Sequence, residues 1–189
     1  MNPNKKIGII GSQMNLGANR IGTETGPTAI RAAGLTENMR CQGYDVVDYG
    51  NIMVPSAAPL ESLHLRYATT ITKANQQLCA TVKYALQKGR FPVILGGDHS
   101  ISIGSVAGSL SFYHSVGIIW VDAHGDFNDA FSTPSGNIHG MPLSVLCGKG
   151  PDSLIPFCSN RLLEQRVVIL GVRSLDEKEK IKLSKSNIT

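Results

Sequence analysis

The sequence predicts an α/β fold built on a mostly parallel sheet with helices on both faces. Three observations predict it. Short apolar runs alternate with longer stretches of helical character along the chain. The runs are apolar at consecutive positions, as in Val116-Gly117-Ile118-Ile119-Trp120-Val121, so such strands suit burial on both faces. Polar, glycine-containing clusters follow directly on two of the runs, and in sheets of this class ligands bind beyond the carboxyl ends of the strands.

Taken in order, Ile7-Gly8-Ile9-Ile10 reads as a first buried strand. Gly26-Pro27-Thr28-Ala29-Ile30-Arg31 opens a helix, because a proline in the first turn gives up only a donor that has no intrahelical partner. Gly43 ends it. Val46-Val47 is a short second strand, and an Ala/Leu/Gln/Lys-rich helix from Leu60 to Lys88 stops at Gly89. Phe91-Pro92-Val93-Ile94-Leu95 is the third strand, with its proline near the start, where a missing donor is tolerated. A short helix covers Ser100 to Leu110 and precedes the fourth strand, Val116 to Val121. A polar loop from Ala123 to Asn137, a helix from His139 to Cys147 and a loop from Gly148 to Ser159 follow. Val167-Val168-Ile169-Leu170 is the fifth strand. Five basic and three acidic residues interleave between Arg173 and Lys185, which reads as a solvated helix or tail. One domain spans residues 1–189, without repeat, linker or low-complexity tract.

Composition narrows the function classes. With 42% hydrophobic and 17% charged residues, the chain collapses rather than staying disordered. Much of the net charge of +4 comes from the interleaved run between Arg173 and Lys185, and only 6% of residues are aromatic, so no basic groove with stacking platforms for nucleic acid is expected. The apolar runs are too short to span a bilayer, so no membrane association is expected. The basic start, Met1 to Lys6, is followed by Gly8 and Gly11 and not by the apolar core of a secretion signal. A cytoplasmic location is expected. Cys41, Cys79, Cys147 and Cys158 form no C-x-x-C pair and fit no zinc spacing, which leaves free thiols.

Two glycine-rich stretches fall short of nucleotide motifs. Gly8 to Gly11 lacks the G-x-G-x-x-G spacing, and Gly17 to Gly22 is followed by Thr23 where a phosphate loop needs lysine. Both read as strand-to-loop turns. The informative clusters are Gly96-Gly97-Asp98-His99-Ser100 after the third strand and Asp122-Ala123-His124-Gly125-Asp126 after the fourth. Either alone could be turn-capping chemistry. Two together at strand ends place carboxylates where desolvation is costly, and a bound divalent cation would offset that cost. If the backbone stays extended, alternation sends Asp122, His124 and Asp126 the same way. Mixed imidazole and carboxylate ligation suits Mn, Fe or Zn, and the lack of thiolate favours Mn.

These two clusters, with Ser135-Gly136-Asn137-Ile138-His139-Gly140-Met141-Pro142, resemble three segments of the arginase family of ureohydrolases. The resemblance extends to Gly17, Gly22 and Gly26 to Arg31, and to Gly171-Val172-Arg173-Ser174-Leu175-Asp176, so it runs over nearly the whole chain and looks bacterial in type. It implies an arginase-like three-layer α/β fold and a pair of Mn²⁺ ions. By position, His99, Asp122 and Asp126 would bind one ion, and His124 would bind the second with Asp122 bridging. A metal-bridging hydroxide would then cleave the guanidino group of L-arginine to L-ornithine and urea. His139 resembles the proton-shuttle histidine, a role that suits a group titrating near neutral pH. Asn128, Ser135 and Asn137 resemble the residues that hold the substrate α-carboxylate, and Asp176 the one that receives the α-amino group. His64 and His114 match no family position and read as surface residues. Family members are often trimers or hexamers, so a homo-oligomer is implied.

The resemblance also implies a segment that this sequence does not contain. A complete arginase continues past the fifth strand into a C-terminal third. That part holds an Asp-x-Asp, with a second bridging carboxylate, and a glutamate for the guanidinium. No two aspartates here are separated by one residue. Two Mn²⁺ ions would then face two carboxylates and two neutral imidazoles, which points to a weak or single-ion site. The late strands would insert between the third and fourth, so their loss would leave two unpaired strand edges. Three readings stay open at this level: an arginase, an inactive or non-catalytic arginase remnant, and an agmatinase or other ureohydrolase. Agmatinases generally lack the Ser-Gly-Asn-x-His stretch, which favours arginine.

Overall fold

The computed structural model describes residues 6–57, 65–154 and 160–189. Three parallel strands form the first sheet: β1 (Lys6–Ser12), β2 (Asp45–Asn51) and β3 (Phe91–Gly96), in the order β2-β1-β3. Ile7 stands beside Val46 on one side and Phe91 on the other. Strands β4 (Ile118–Val121) and β5 (Val167–Leu170) form a second parallel pair, with Ile118 beside Val167. The helices are α1 (Gly26–Ala32), α2 (Leu35–Cys41), α3 (Ala68–Gln87), α4 (Ser102–Leu110), α5 (Pro142–Leu146) and α6 (Glu177–Ser184).

Alternation along β1 decides which helix covers which face. Ile7 and Ile9 pack with Val46 and Leu95 against Leu35 and Met39 of α2. Ile10 joins Ile71, Leu78 and Val82 of α3 in the main core, all fully buried. Each such side chain contributes about 1.5–3 kcal/mol by leaving water. Helices α3 and α4 meet across Gly104, whose N–H donates to the Oδ1 of buried Asn75 at 2.7 Å.

Several boundaries differ from the sequence reading. The helix expected from Gly26 to Gly43 is two helices, because Gly34 takes a left-handed conformation (φ 85°) between them. Strand β2 runs on to Asn51 through residues that read as polar: Arg31 donates to Asp48 at 2.7 and 2.9 Å and to Gly50 O at 3.0 Å, which satisfies that stretch. The long helix begins at Ala68, and its expected start near Leu60 lies outside the described residues, as do His64 and Cys158. The helix expected from His139 to Cys147 is a 3-10 turn at Ile138–Gly140 followed by α5.

The sheet is divided between β3 and β4. Among the described residues no strand pairs with the second edge of either. Trp120 and Val167 pack inward on Leu110, Leu143 and Leu146, whereas Ile119 and Val121 are 70% and 76% exposed. So β4, expected to be covered on both faces, is covered on one. The outer edge of β5 is met by Thr189, which accepts from Ile169 N–H at 2.8 Å and donates to Val167 O at 3.1 Å.

Candidate metal centre

The site begins where β3 ends. Gly97 N–H donates to Ser12 O at 3.2 Å, and Asp98 N–H donates to Met14 O at 2.8 Å. The two backbones touch here: a Cβ on residue 97 would lie 2.0 Å from Met14 O. This contact turns Asp98 inward. Its Oδ2 accepts from Gly17 N–H (2.8 Å) and Ala18 N–H (3.2 Å), and its Oδ1 from Ser100 N–H (2.9 Å). Asp98 is therefore an anchor, and the next residue, His99, is free to stack on Trp120 of β4 with ring centroids 4.4 Å apart.

At the end of β4, Asp122 N–H bonds Leu170 O of β5 at 3.0 Å, which fixes the base of the second cluster. His99 Nδ1 lies 2.9 Å from Asp122 Oδ2 and 2.7 Å from Asp126 Oδ2. One ligand atom from each of these three residues falls within 4.8 Å of the others. The second oxygen of Asp122 is turned toward His124, 2.9 Å from its N–H and 3.1 Å from its Nδ1. The extended-strand argument thus holds for Asp122 and Asp126 only in outcome. Asp126 reaches the cluster through a left-handed residue (φ 50°), and His124 stands outside the trio with its side chain 62% exposed.

The trio fits a divalent cation. Asp126 Oδ2 is shut off from solvent and has no hydrogen-bond partner other than the His99 Nδ1 that faces it at 2.7 Å, an ion-pair contact only when that ring is protonated. A buried carboxylate oxygen facing a neutral imidazole is costly unless a cation takes its lone pairs. Burial pulls the His99 imidazole down, but neighbouring Asp126 and Asp122 outweigh it and raise its affinity for a proton above the ordinary range. Burial pushes the Asp122 carboxyl up, and the His124 N–H with the His99 ring more than offset this and hold it below the usual range. Two carboxylates and one imidazole, with no thiolate, suit a hard or borderline ion.

A cleft of about 190 Å³ opens beside the trio. It brings together His124, Asp126, Asn128, Ser135, Asn137, His139 and Asp176, seven of the residues singled out from sequence; His99 and Asp122 adjoin it through Asp126 and His124. Asn128 Nδ2 donates to Asp176 Oδ2 at 3.0 Å, so these two are paired side by side. Asn137 Nδ2 donates to Ala18 O at 3.2 Å and His139 N–H to Gly17 O at 3.1 Å. The segment that Asp98 anchors therefore positions the Ser135–His139 stretch as well. The amide oxygens of Asn128 and Asn137 are buried without partners. Asp129, another acid near in sequence, is taken by Lys182 at 2.6 Å.

The structure adds Glu179 to the cleft. Its side chain, on α6, is 3% exposed and accepts from Phe127 N–H at 2.9 Å. Burial first, then the nearby Asp126 and Asp176 carboxylates, push its carboxyl up against the opposing bonds from the Phe127 and Asp176 N–H groups. In the sequence it sits within Glu177-Lys178-Glu179-Lys180, which reads as a solvated face. Only its place three residues after Asp176, on the same helical face, could have pointed to it.

Comparison with known proteins decides the family. Residues 5–189 match the Arginase family. The chain belongs to the arginase family. It is 47% identical over 184 residues to an arginase from Bacillus caldovelox, covering 93% of this chain and 60% of that protein. It is 42% identical over 193 residues to an arginase from Staphylococcus aureus (strain COL), covering 100% of this chain and 64% of the relative. The solved native structure of the Bacillus caldovelox arginase superposes with a TM-score of 0.93 at 45% identity, over 98% of this chain and 64% of that one. The chain therefore spans about three fifths of the length of the arginases it matches. Among the described residues, no helix is long and apolar enough to cross a membrane.

Proposed function

We propose that the chain carries the metal-binding and amino-acid-binding part of an arginase, whose reaction converts L-arginine to L-ornithine and urea. The observation that carries this reading is the convergence of His99, Asp122 and Asp126, with one ligand atom from each within 4.8 Å of the others and the Asp126 oxygen buried. His99, Asp122 and Asp126 would hold one Mn²⁺; His124 and the second oxygen of Asp122 would contribute to another. When bound, the ions supply a water activated as nucleophile at neutral pH.

The remaining roles fall to the cleft. His139 moves a proton at its imidazole. Asn128, Ser135 and Asn137 offer neutral donors to the α-carboxylate, and Asp176 pairs with the α-ammonium. The neighbouring Asn128 amide and Asp176 carboxylate match the opposite demands of one zwitterionic α-carbon. Agmatine has no carboxylate for the Ser135–Asn137 stretch, so arginine is the favoured substrate. We infer a cytoplasmic enzyme that assembles as a homo-oligomer.

A second reading concerns this polypeptide alone. His124 is largely exposed and stands outside the trio, so a second ion would find two protein ligands among the described residues. The 189-residue chain then holds one ion firmly and turns over arginine slowly or not at all.

Titrating purified chain with Mn²⁺ by electron paramagnetic resonance, with urea release from arginine and agmatine followed on the same sample, tests both readings. One tightly bound Mn²⁺, lost in His99→Ala and Asp126→Ala, is expected, with any urea coming from arginine. No binding, or a preference for agmatine, overturns the arginase reading. Turnover comparable with a full-length arginase overturns the second.

A further inference from the structure

We propose that Glu179 is a positioning residue for Asp126: its carboxylate, through the Phe127 N–H, holds the left-handed backbone that aims Asp126 into the metal centre. The inference rests on the reading of Asp126 as a cation ligand and concerns how this chain builds that ligand.

Asp126 has φ 50°, a left-handed conformation that is unfavourable for an L-residue and persists only where its surroundings over-determine it. The surroundings are on α6 and α5. The peptide unit after Asp126 donates to Glu179 Oε1 at 2.9 Å in a buried setting. The carbonyl of Asp126 accepts from Leu143 N–H at 3.0 Å. The residue before it, Gly125, is pressed by α6 and the turn leading into it: a Cβ there would lie 2.8 Å from both Leu175 Cδ2 and Leu183 Cδ1, and 3.0 Å from Glu179 Cδ. Backbone on both sides of Asp126 is thus held by α6 and the residue leading into it, with α5 on its carbonyl and Glu179 on the Phe127 N–H.

The chemistry of Glu179 agrees. It is an acid almost wholly removed from water, with Asp126 and Asp176 as charged neighbours and no basic partner in an ion pair among the described residues. A residue placed for surface charge would not be buried beside two like charges. An acceptor required by a buried backbone N–H would, because an unmet donor there is costly. What matters is then the acceptor oxygen and its reach.

The test uses the whole chain and Mn²⁺ alone as probe. Mn²⁺ affinity is measured by electron paramagnetic resonance, and protection of the Phe127 amide by hydrogen exchange without metal. Glu179→Gln keeps an acceptor oxygen at the same reach and should stay within about threefold of wild-type affinity with Phe127 protected. Glu179→Asp keeps the charge and shortens the arm, and should weaken Mn²⁺ at least tenfold and expose the Phe127 amide. Glu179→Ala should do the same; if it does not fold, the Gln and Asp pair still decides. Wild-type affinity in a folded Glu179→Asp or Glu179→Ala overturns the inference, as does a Gln variant as impaired as the Asp variant. A wild-type chain that binds no Mn²⁺ overturns the reading of the metal centre, and the inference falls with it.

Discussion

Replacing Gly97 with alanine tests whether backbone contact, and not side-chain packing, sets the position of His99. The new methyl carbon would sit 2.0 Å from Met14 O, 2.6 Å from Met14 N and 2.8 Å from Met14 C. Ordinary non-bonded separation is about 3.5 Å, so the two segments must part by roughly 1.5 Å. Parting them breaks the bonds from Gly97 N–H to Ser12 O and from Asp98 N–H to Met14 O. Each is worth about 1 kcal/mol, and overpacking adds about 1–3 kcal/mol. The sum is about 3–5 kcal/mol, and at about 2–4 °C per kcal/mol for a chain of this size the midpoint falls by about 6–20 °C. Gly117→Ala is the control, because a Cβ there meets only Arg166 O, at an ordinary 3.5 Å. Thermal melts followed by circular dichroism read both variants, with the control expected within about 2 °C of the parent. A Gly97→Ala variant that also melts within about 2 °C of the parent would refute the reasoning.

Other outcomes follow from features already described. The open apolar face of β4 and β5 should drive self-association, so Val121→Lys, at a position 76% exposed, should lower the sedimentation-average mass without lowering the melting temperature; an unchanged mass distribution counts against it. Asp129 is held below its usual 3.8, burial opposing and Lys182 with the Phe131 and Ser132 N–H groups prevailing. A depressed folded value gives stability that is present above pH 3.8 and lost as pH falls through the lower folded value, so the urea midpoint should drop below about pH 4 and drop less in Lys182→Met. His99, raised by Asp126 and Asp122 against burial, has the opposite sign: without metal, its contribution is full below pH 6.5 and lost as pH climbs through the raised value. A midpoint that rises in His99→Asn on the acid side of that range would contradict it. Burial, with Glu164 adding, pushes the Cys147 thiol up to about 12, so iodoacetamide at pH 8 should modify exposed Cys41 in the native chain and Cys147 only after unfolding, as read by peptide mapping.

Much of this arrangement was legible in the residues, for identifiable reasons. Ile7 to Ile10 and Val167 to Leu170 announce strands because unbroken apolar runs have few other uses. The clustering of His99, Asp122 and Asp126 was legible because acids and imidazoles seldom crowd the ends of buried strands without a reason. The polar half of β2 was not, since its stability depends on Arg31, fourteen residues before the strand begins. The break at Gly34 was hidden because a lone glycine is also tolerated within a helix. Asp126 joined the expected partners by an unexpected path: alternation assumes an extended chain, and the left-handed turn is imposed by α5 and α6, far along the sequence. Glu179 was invisible for the same reason. Its neighbours in sequence are solvated charges, and its burial comes from packing on Gly125.

The candidate ligands do not come from one sheet. His99 extends from β3, in the three-stranded sheet, and Asp122 and Asp126 extend from β4, in the other. Where backbone pairing stops, an ion held by all three would act as a rivet across the seam. Loading it would resist separation of the two halves in proportion to the logarithm of free metal, and amides in β3 and β4 would slow their exchange together.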